Sequence, residues 1–582
     1  MNRKSRPASQ SEAVLARPSG DDLESSPPWL SRSLVRLLFW VLTSVVGLVQ
    51  AWSLRFTITP DGNSYLDIAT AYLRGDYAHA INAYWSPLFS WLIAGCLRLL
   101  NPPGYRETVL LHLLNFAGLL IALRSFEYFF GGFLDFLEQS RDPQHETAIN
   151  GSLWWLLGYE LFFSTSLFVL SLEPTNPDIW LCVFTYLAMG ILMRIGVKPR
   201  NLAYFVAFGF VLGLAYLTKS FYFPLSFVFF ISGVFARGFS AKNLVRVSLA
   251  ILIFGIVGGP FIFGISRQKH RFTFGDVGKI GYAECVTPIL QPQFWQGDAQ
   301  TGVPTHPARQ ILSDPNVFEF ATPIGGSHPL SYDMSYWMDG VRPHFNFRGQ
   351  LRIVRQSIGT FFSIFVIQLE FAVGLLTLWF FQRKRAESLY SLAHFWPLWL
   401  PPGLACAAYS LVLVEPRYVA PFLVFLWLAG FASVARASDA SSKRILFAVL
   451  LGVLSVTGIK TAKYFVSDMA AMGHQQNEYW EVAQNLHKLG VEPGDRVSII
   501  AGKAVAHWAR LAGVKIVAEL PLGEDATFWS GDRATQERVF AAFAGTGSRV
   551  VVAKDPPPDI ALKDWHRLGD TDYYAHFLPV FP

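Results

Sequence analysis

The sequence predicts an α-helical polytopic membrane protein of about eleven transmembrane helices, with a small extracytoplasmic α/β domain at its C-terminal end. Three observations predict this. Only 15% of the 582 residues are charged and 52% are apolar, with a mean hydropathy of +0.32, whereas ordinary globular chains carry about 25% charge. Apolar runs recur along the chain at close to the ~20 residues that cross a bilayer as a helix. The last 122 residues break the pattern, with 27 charged residues against 63 in the preceding 460. The same composition excludes disordered, collagen-like and coiled-coil chains and argues against an ordinary soluble enzyme.

Residues 1–33 are polar and rich in Ser, Pro and Arg, and read as a disordered cytoplasmic tail. The membrane domain follows over 34–460. Its spans fall roughly at 34–55, 108–130, 152–171, 179–195, 202–218, 221–236, 247–266, 357–381, 389–412, 418–435 and 445–460. Lys and Arg set the orientation. Arg3, Lys4, Arg6, Arg17, Arg32 and Arg36 precede or open the first span, and alternate loops carry Arg194, Lys198 and Arg200, then Arg237, Lys242 and Arg246, then Arg383, Lys384 and Arg385. The N-terminus is therefore expected in the cytoplasm, and the net charge of +6 is an orientation signal rather than a mark of nucleic-acid binding. Segments 56–107, 267–356 and 461–582 fall on the outer side. In the last of these, helical patterns at 478–489, 504–511 and 536–543 alternate with apolar runs at 497–501, 514–518 and 550–553, which predicts the α/β domain. The four cysteines have no CxxC or Cys/His spacing, so neither a zinc site nor a disulfide framework is suggested.

Polar groups beside spans are expensive, so each demands an explanation. Asp61 sits on a Pro60-Asp61-Gly62 turn, with Tyr65 and Asp67 on a short amphipathic helix expected to lie on the membrane surface. Asp61 is either a helix cap or a functional carboxylate. The run Ala83–Leu100 reads as a second interfacial helix. Asp178 precedes a span and Lys219 follows another; they cap and snorkel, or they form a site for a lipid-linked phosphate. Glu415 and Arg417 are either a surface ion pair or a phosphate fork beside Tyr418. Glu160 lies deeper and reads as structural, paired with Arg124 or hydrogen-bonded within the bundle. In the loop 267–356, Trp295, Tyr336 and Trp337 stack on sugars or pin the loop to the membrane. His306, His328 and His344 lack metal-ligand spacing.

These segments together resemble the GT-C superfamily of polytopic glycosyltransferases, which includes the aminoarabinose-lipid transferases, the protein O-mannosyltransferases and the bacterial RgtA/B/C/D-like proteins. PDGNSYLDIATAYLRGDY looks like the first outer loop of that family, YWSPLFSWL like its PPLYYWL segment, and SLEPTNPDIWL like its PD motif. GLAYLTKS and EPRYVAPFLVFLWLAG are similar to its GLxxLTK and RY segments. The resemblance implies a sugar moved from a polyprenyl-phosphate donor to a glycan, lipid or protein acceptor hydroxyl. It places the reaction on the outer face of the bacterial inner membrane and makes Asp61 the catalytic base. Where the family often has two adjacent acids, Gly62 follows Asp61 here. That favours a single base with inversion at the anomeric carbon; no metal site is assigned, and a divalent cation is left open.

The residues themselves fit such chemistry. A leaving phosphate needs cations, for which Lys219 and Arg417 are the candidates, and an attacking hydroxyl needs one base. Tyr65, Asp67, Asp178, Glu415 and Tyr418 are the expected supporting residues. Two other classes compete: a lipid or sugar transporter or flippase, which would show paired halves and midplane polar groups, and a non-catalytic membrane assembly factor acting through its outer domain.

Overall fold

The computed structural model describes residues 31–139, 151–236, 238–287, 289, 292–320, 325–382, 385–436, 440–473, 476–500, 506–557 and 564–579. The expected tail up to residue 30 lies outside the described residues, as do Arg237, Arg383 and Lys384.

The chain opens with α1 (Arg32–Ser53), capped by Ser31, whose hydroxyl accepts from the Leu34 N–H. The first long loop is filled by α2 (Pro60–Leu73), α3 (Tyr77–Ala80) and α4 (Pro87–Leu100). Then α5 (Glu107–Gln139), α6 (Gly151–Ser164), α7 (Asp178–Val197), α8 (Leu202–Thr218), α9 (Tyr222–Phe235) and α10 (Ala241–Gln268) run back and forth. The second long loop holds α11 (Val277–Cys285), β1 (Arg309–Ser313), β2 (Asn316–Glu319), α12 (Pro329–Tyr332) and α13 (Met334–Trp337). The bundle closes with α14 (Phe347–Ile367), α15 (Leu369–Phe381), α16 (Arg385–His394), α17 (Trp396–Ser410), α18 (Pro416–Arg436) and α19 (Ala440–Met472). Beyond it lie α20 (Glu478–Lys488), β3 (Arg496–Ile500), α21 (His507–Ala512), β4 (Lys515–Leu520) and α22 (Asp525–Ser530). The chain ends with α23 (Arg533–Gly545), β5 (Val550–Lys554), β6 (His566–Arg567) and β7 (Tyr573–Phe577).

Each expected span has a helical counterpart. Among the described residues, seven helical runs are long and apolar enough to cross a membrane, and α14 with α15 pass the same test as a pair bent by 78°. The expected crossings at 202–218, 221–236 and 389–412 are shorter than a straight span: α8, α9 and α17 have 17, 14 and 15 residues. At 1.5 Å per residue that is roughly 21–26 Å of helix, below the ~30 Å hydrocarbon thickness. Leu37 and Leu38 of α1 and Ile256 and Phe263 of α10 are exposed, as lipid-facing residues are.

Contacts tie one set of helix ends together. Thr59 bonds to Thr175, Lys219 to Asp178, Arg417 to Asp61, Asp276 to Ala83, and Ser327 to Asp67. The first loop, the 171–178 turn, the 219–221 turn, the 269–346 loop and the 411–416 turn therefore share one face, as the charge pattern requires.

Two expectations about the outer segments are corrected. The boundary placed at 461 falls inside α19, which continues to Met472. The helix expected to lie on the membrane surface, α2, is covered, with Gly62 to Ala69 all buried. It packs against α4, against the 325–335 segment and against the C-terminal domain. Ser90 Oγ of α4 donates to the Tyr65 carbonyl (3.1 Å), and Ser64 Oγ donates to the Ser331 carbonyl (2.8 Å).

The expected helix–strand alternation is present: α20, β3, α21, β4, α23 and β5 follow in order, with β3 parallel to both β4 and β5. The sheet is larger than the C-terminal segment alone. Its seven strands run in the order β1-β2-β4-β3-β5-β7-β6, and β2 pairs antiparallel with β4, Phe318 opposite Glu519. The second long loop and the C-terminal segment thus form one sheet.

Candidate functional site

Thr59 caps α2: its hydroxyl accepts from the Gly62 N–H at 3.2 Å. Asp61 is therefore not the cap. It lies in the first helical turn, where the helix dipole favours a carboxylate. Thr175 fixes this turn to the EPTNPD segment, accepting from the Thr59 N–H (3.0 Å) and lying 2.9 Å from the Thr59 hydroxyl. The packing is too close for any side chain at position 62, because a Cβ there would sit 2.1 Å from Thr175 Oγ1. The absence of a second acid beside Asp61 thus has a steric cause.

The neighbouring turn holds Asp178 at the start of α7. Asn176 Oδ1 accepts from the Asp178 N–H (3.1 Å), and Asn115 Nδ2 donates to the carbonyls of Pro174 and Asn176. Lys219, which closes α8, donates from Nζ to Asp178 Oδ1 at 2.9 Å and lies 3.5 Å over the Tyr418 ring. Arg417, in the first turn of α18, is the hub. Its Nη1 is 3.4 Å from Asp61 Oδ2 and 3.7 Å from Asp178 Oδ2, while Nε donates to Glu415 Oε2 at 2.7 Å. Tyr418 stacks on Tyr409, their ring centroids 5.4 Å apart. Tyr65, one turn along α2 from Asp61, is buried against Trp85 and Phe89.

Seven of the eight residues singled out from the sequence therefore meet at one end of the bundle: Asp61, Tyr65, Asp178, Lys219, Glu415, Arg417 and Tyr418. Asp61 is 31% exposed, Arg417 17% and Glu415 39%, so the cluster opens to one side. Burial and the nearby Asp178 charge raise the Asp61 carboxyl above the ordinary carboxylate range, with Arg417 and Lys219 opposing. Burial likewise lowers the Lys219 ammonium, against the pull of Asp178. Three carboxylates face two cations, so the cluster's own side chains leave one negative charge in excess.

The eighth residue, Asp67, points elsewhere. It accepts from Arg510 Nη1 of α21 (2.8 Å) and from the Ser327 N–H (2.8 Å). Arg510 also binds Glu107 through two nitrogens, each at 2.8 Å. This is the joint between α2, α5 and the C-terminal domain. Asn63 adds to it, accepting from His507 Nδ1 at 3.1 Å.

Other sequence readings are corrected. Arg124 faces Glu127 (3.9 Å) rather than Glu160; Glu160 is fully buried and lines an apolar crevice with Thr457 and Thr461. Trp295 and Trp337 are core residues, their indoles donating to Thr301 and to the Pro329 carbonyl, so neither ring is available to a sugar. His306 stacks on Tyr336, and His328 bonds Glu519. Among the described residues no group of three His, Cys, Asp or Glu side chains is placed to hold a metal ion. Sequence reasoning missed Thr175 and Tyr409, which carry no charge and lie within or beside apolar runs.

No protein-family model matches the chain, and no curated protein matches it. Among solved structures, the chain is similar to ArnT from Cupriavidus metallidurans bound to undecaprenyl phosphate. The identity is 13% over 94% of this chain and 99% of that one, with a TM-score of 0.48. It is also similar to the Archaeoglobus fulgidus oligosaccharyltransferase. The apo form matches at 11% identity over 89% of this chain and 69% of that one, TM-score 0.47. The complex with Zn and sulfate matches at 12% identity over 89% and 68%, TM-score 0.47.

Proposed function

We propose that this protein is an inverting glycosyltransferase that moves a sugar from a polyprenyl-phosphate donor to an acceptor hydroxyl at the outer face of a bacterial inner membrane. The observation that carries the reading is the convergence of Asp61, Asp178, Lys219 and Arg417, from four distant segments, at one mouth of a membrane bundle. A partly exposed carboxylate, Asp61, beside two cations suits a reaction whose nucleophile loses a proton while its leaving group gains negative charge.

In this reading Asp61 takes the proton from the acceptor hydroxyl as its oxygen attacks the anomeric carbon. The bond from that carbon to the phosphate oxygen breaks on the opposite side, and the polyprenyl phosphate departs with the electron pair. Lys219 and Arg417 offset the charge that grows on it. Asp178 holds Lys219, and the Tyr418–Tyr409 pair fixes the ammonium over an aromatic face. The apolar α4 borders the path of the isoprenoid chain.

The test is sugar transfer in proteoliposomes supplied with a polyprenyl-phosphate sugar. Asp61→Asn is expected to fold and bind the donor while losing about 10²–10⁴-fold in rate, the usual range for a positioned acid–base group. Lys219→Gln and Arg417→Gln are expected to weaken donor binding instead. Near-normal transfer by Asp61→Asn removes the residue from the role, and unchanged donor affinity in both cation variants sinks the phosphate clamp.

A further inference from the structure

A second polar cavity, of about 790 Å³, lies in the second long loop beyond the end of α10, within the usual size of ligand sites, roughly 300–1,000 Å³. Four cations line it, Lys269, Arg271, Lys279 and Arg342, against two carboxylates, Asp298 and Asp339. The carboxylates are engaged. Asp298 accepts the N–H groups of Gln300 and Thr301, each at 2.7 Å. Asp339 lies 3.6 Å from Lys269 and 3.9 Å from Arg271. Lys269 also donates to the Ser335 carbonyl (2.6 Å), and Arg271 donates to Asp276 (2.5 Å). That leaves Lys279 and Arg342, whose side chains have no ion-pair or hydrogen-bond partner among the described residues. Two unpaired cations facing one cavity are an anion site awaiting its anion. His306 lines it, its ring backed by Tyr336 at 3.9 Å with an interplanar angle of 2°, a platform of the kind sugar rings lie against.

The chain that lines the cavity, between Arg271 and Lys279, runs past the segments that carry the Asp61 cluster. This stretch includes Gly275, which sits against Ser220; a Cβ at Gly275 would meet the Ser220 Cβ at 2.8 Å. Ser220 follows Lys219. The next residue, Asp276, donates its N–H to the Ala83 carbonyl at 2.7 Å, beside the Tyr84–Trp85 pair that packs on Tyr65. Lys279 lies one turn further on, in α11.

We propose that this cavity is the acceptor subsite and that it takes a sugar bearing a phosphate group, with Lys279 and Arg342 on the anion and the His306–Tyr336 face under the ring. This rests on the transferase reading for the word acceptor, while the anion site stands on the cavity alone. The probe is glucose 6-phosphate, titrated by saturation-transfer NMR into the full-length protein in phosphatidylcholine nanodiscs. Saturable binding is expected, competed by inorganic phosphate and absent for glucose. The Lys279→Gln/Arg342→Gln variant is expected to weaken it by about 10-fold or more, the scale of ~1.4 kcal/mol, with melting temperature and polyprenyl-phosphate binding unchanged.

No saturable binding, or equal affinity in the double variant, overturns the proposal. If phosphatidylglycerol-rich nanodiscs abolish glucose 6-phosphate binding, the natural anion is a bilayer headgroup and the acceptor assignment is overturned. Binding is read without turnover. Failure of sugar transfer would therefore retire the transferase reading and leave the anion site measurable. Transfer without glucose 6-phosphate binding would retire only the subsite.

Discussion

Glu415 limits what the candidate site can do as it stands. With three carboxylates on two cations, a donor phosphate enters against a net negative charge, so at least one carboxylate has to give way. Glu415 is the most exposed of the three, and an exposed ion pair is held by only about 0–1 kcal/mol. Of the three it is the carboxylate freest to give way. Glu415→Gln is therefore expected to tighten donor binding several-fold, measured by titration with a polyprenyl phosphate, and weaker binding would contradict the clamp. The raised Asp61 carboxyl gives a second residue-level outcome. A base works ionised, so kcat/KM falls as the pH drops through its pKa, and here that fall should begin above the ordinary carboxylate value of about 4. Asp178→Asn removes a like charge and should move the acid limb to lower pH; a limb that stays put argues against Asp61 as the titrating group. These residues were legible because charge is scarce at this face. Asp67 was misread for the same reason: the sequence shows a carboxylate on the Asp61 helix but not Arg510, 443 residues away.

At the scale of elements, α2 is the piece that aims Asp61, and its start is set by Thr175. Gly62→Ala is expected to push α2 off the EPTNPD turn, at about 1–3 kcal/mol for an overpacked contact, and to lower both melting temperature and transfer rate. Thr175→Gly in the same chain should restore part of each, and a double variant no better than the single would show that the clash lies elsewhere. The long apolar helices were readable from periodicity and length. The short α8, α9 and α17 were readable as apolar runs, but the sequence does not say that they are too short for straight spans. The bend at Gln368, which turns the expected 357–381 span into α14 and α15, has no proline to announce it. Its amide is instead tied to its neighbours, donating to Thr165 and accepting from Trp427.

At the scale of the whole molecule, the outer domain and the membrane bundle meet at Arg510. It is buried between Asp67 and Glu107, and removing one partner of a buried charge network costs about 3–5 kcal/mol. Arg510→Ala is expected to undock the C-terminal domain from α2, seen as faster proteolytic release of that domain and a loss of sugar transfer. Retained docking with full activity would separate the domain from the site. The α/β character of that domain was legible from its own alternating runs. Its union with the second long loop was not, because the pairing of Phe318 with Glu519 leaves no local pattern in either segment.

That union also dictates an order of assembly. β2 is synthesised roughly 200 residues before β4, a delay of about 10–40 s at ordinary elongation rates, with α14 to α19 still to be inserted. Throughout that interval the β1–β2 hairpin waits beyond the membrane with one edge of unpaired backbone groups, the state in which strands recruit wrong partners. Only β4 ends this exposure, because it is the strand that pairs with β2. Ribosome-bound chains halted before residue 515 should accordingly be the form that chaperones on that side of the membrane capture.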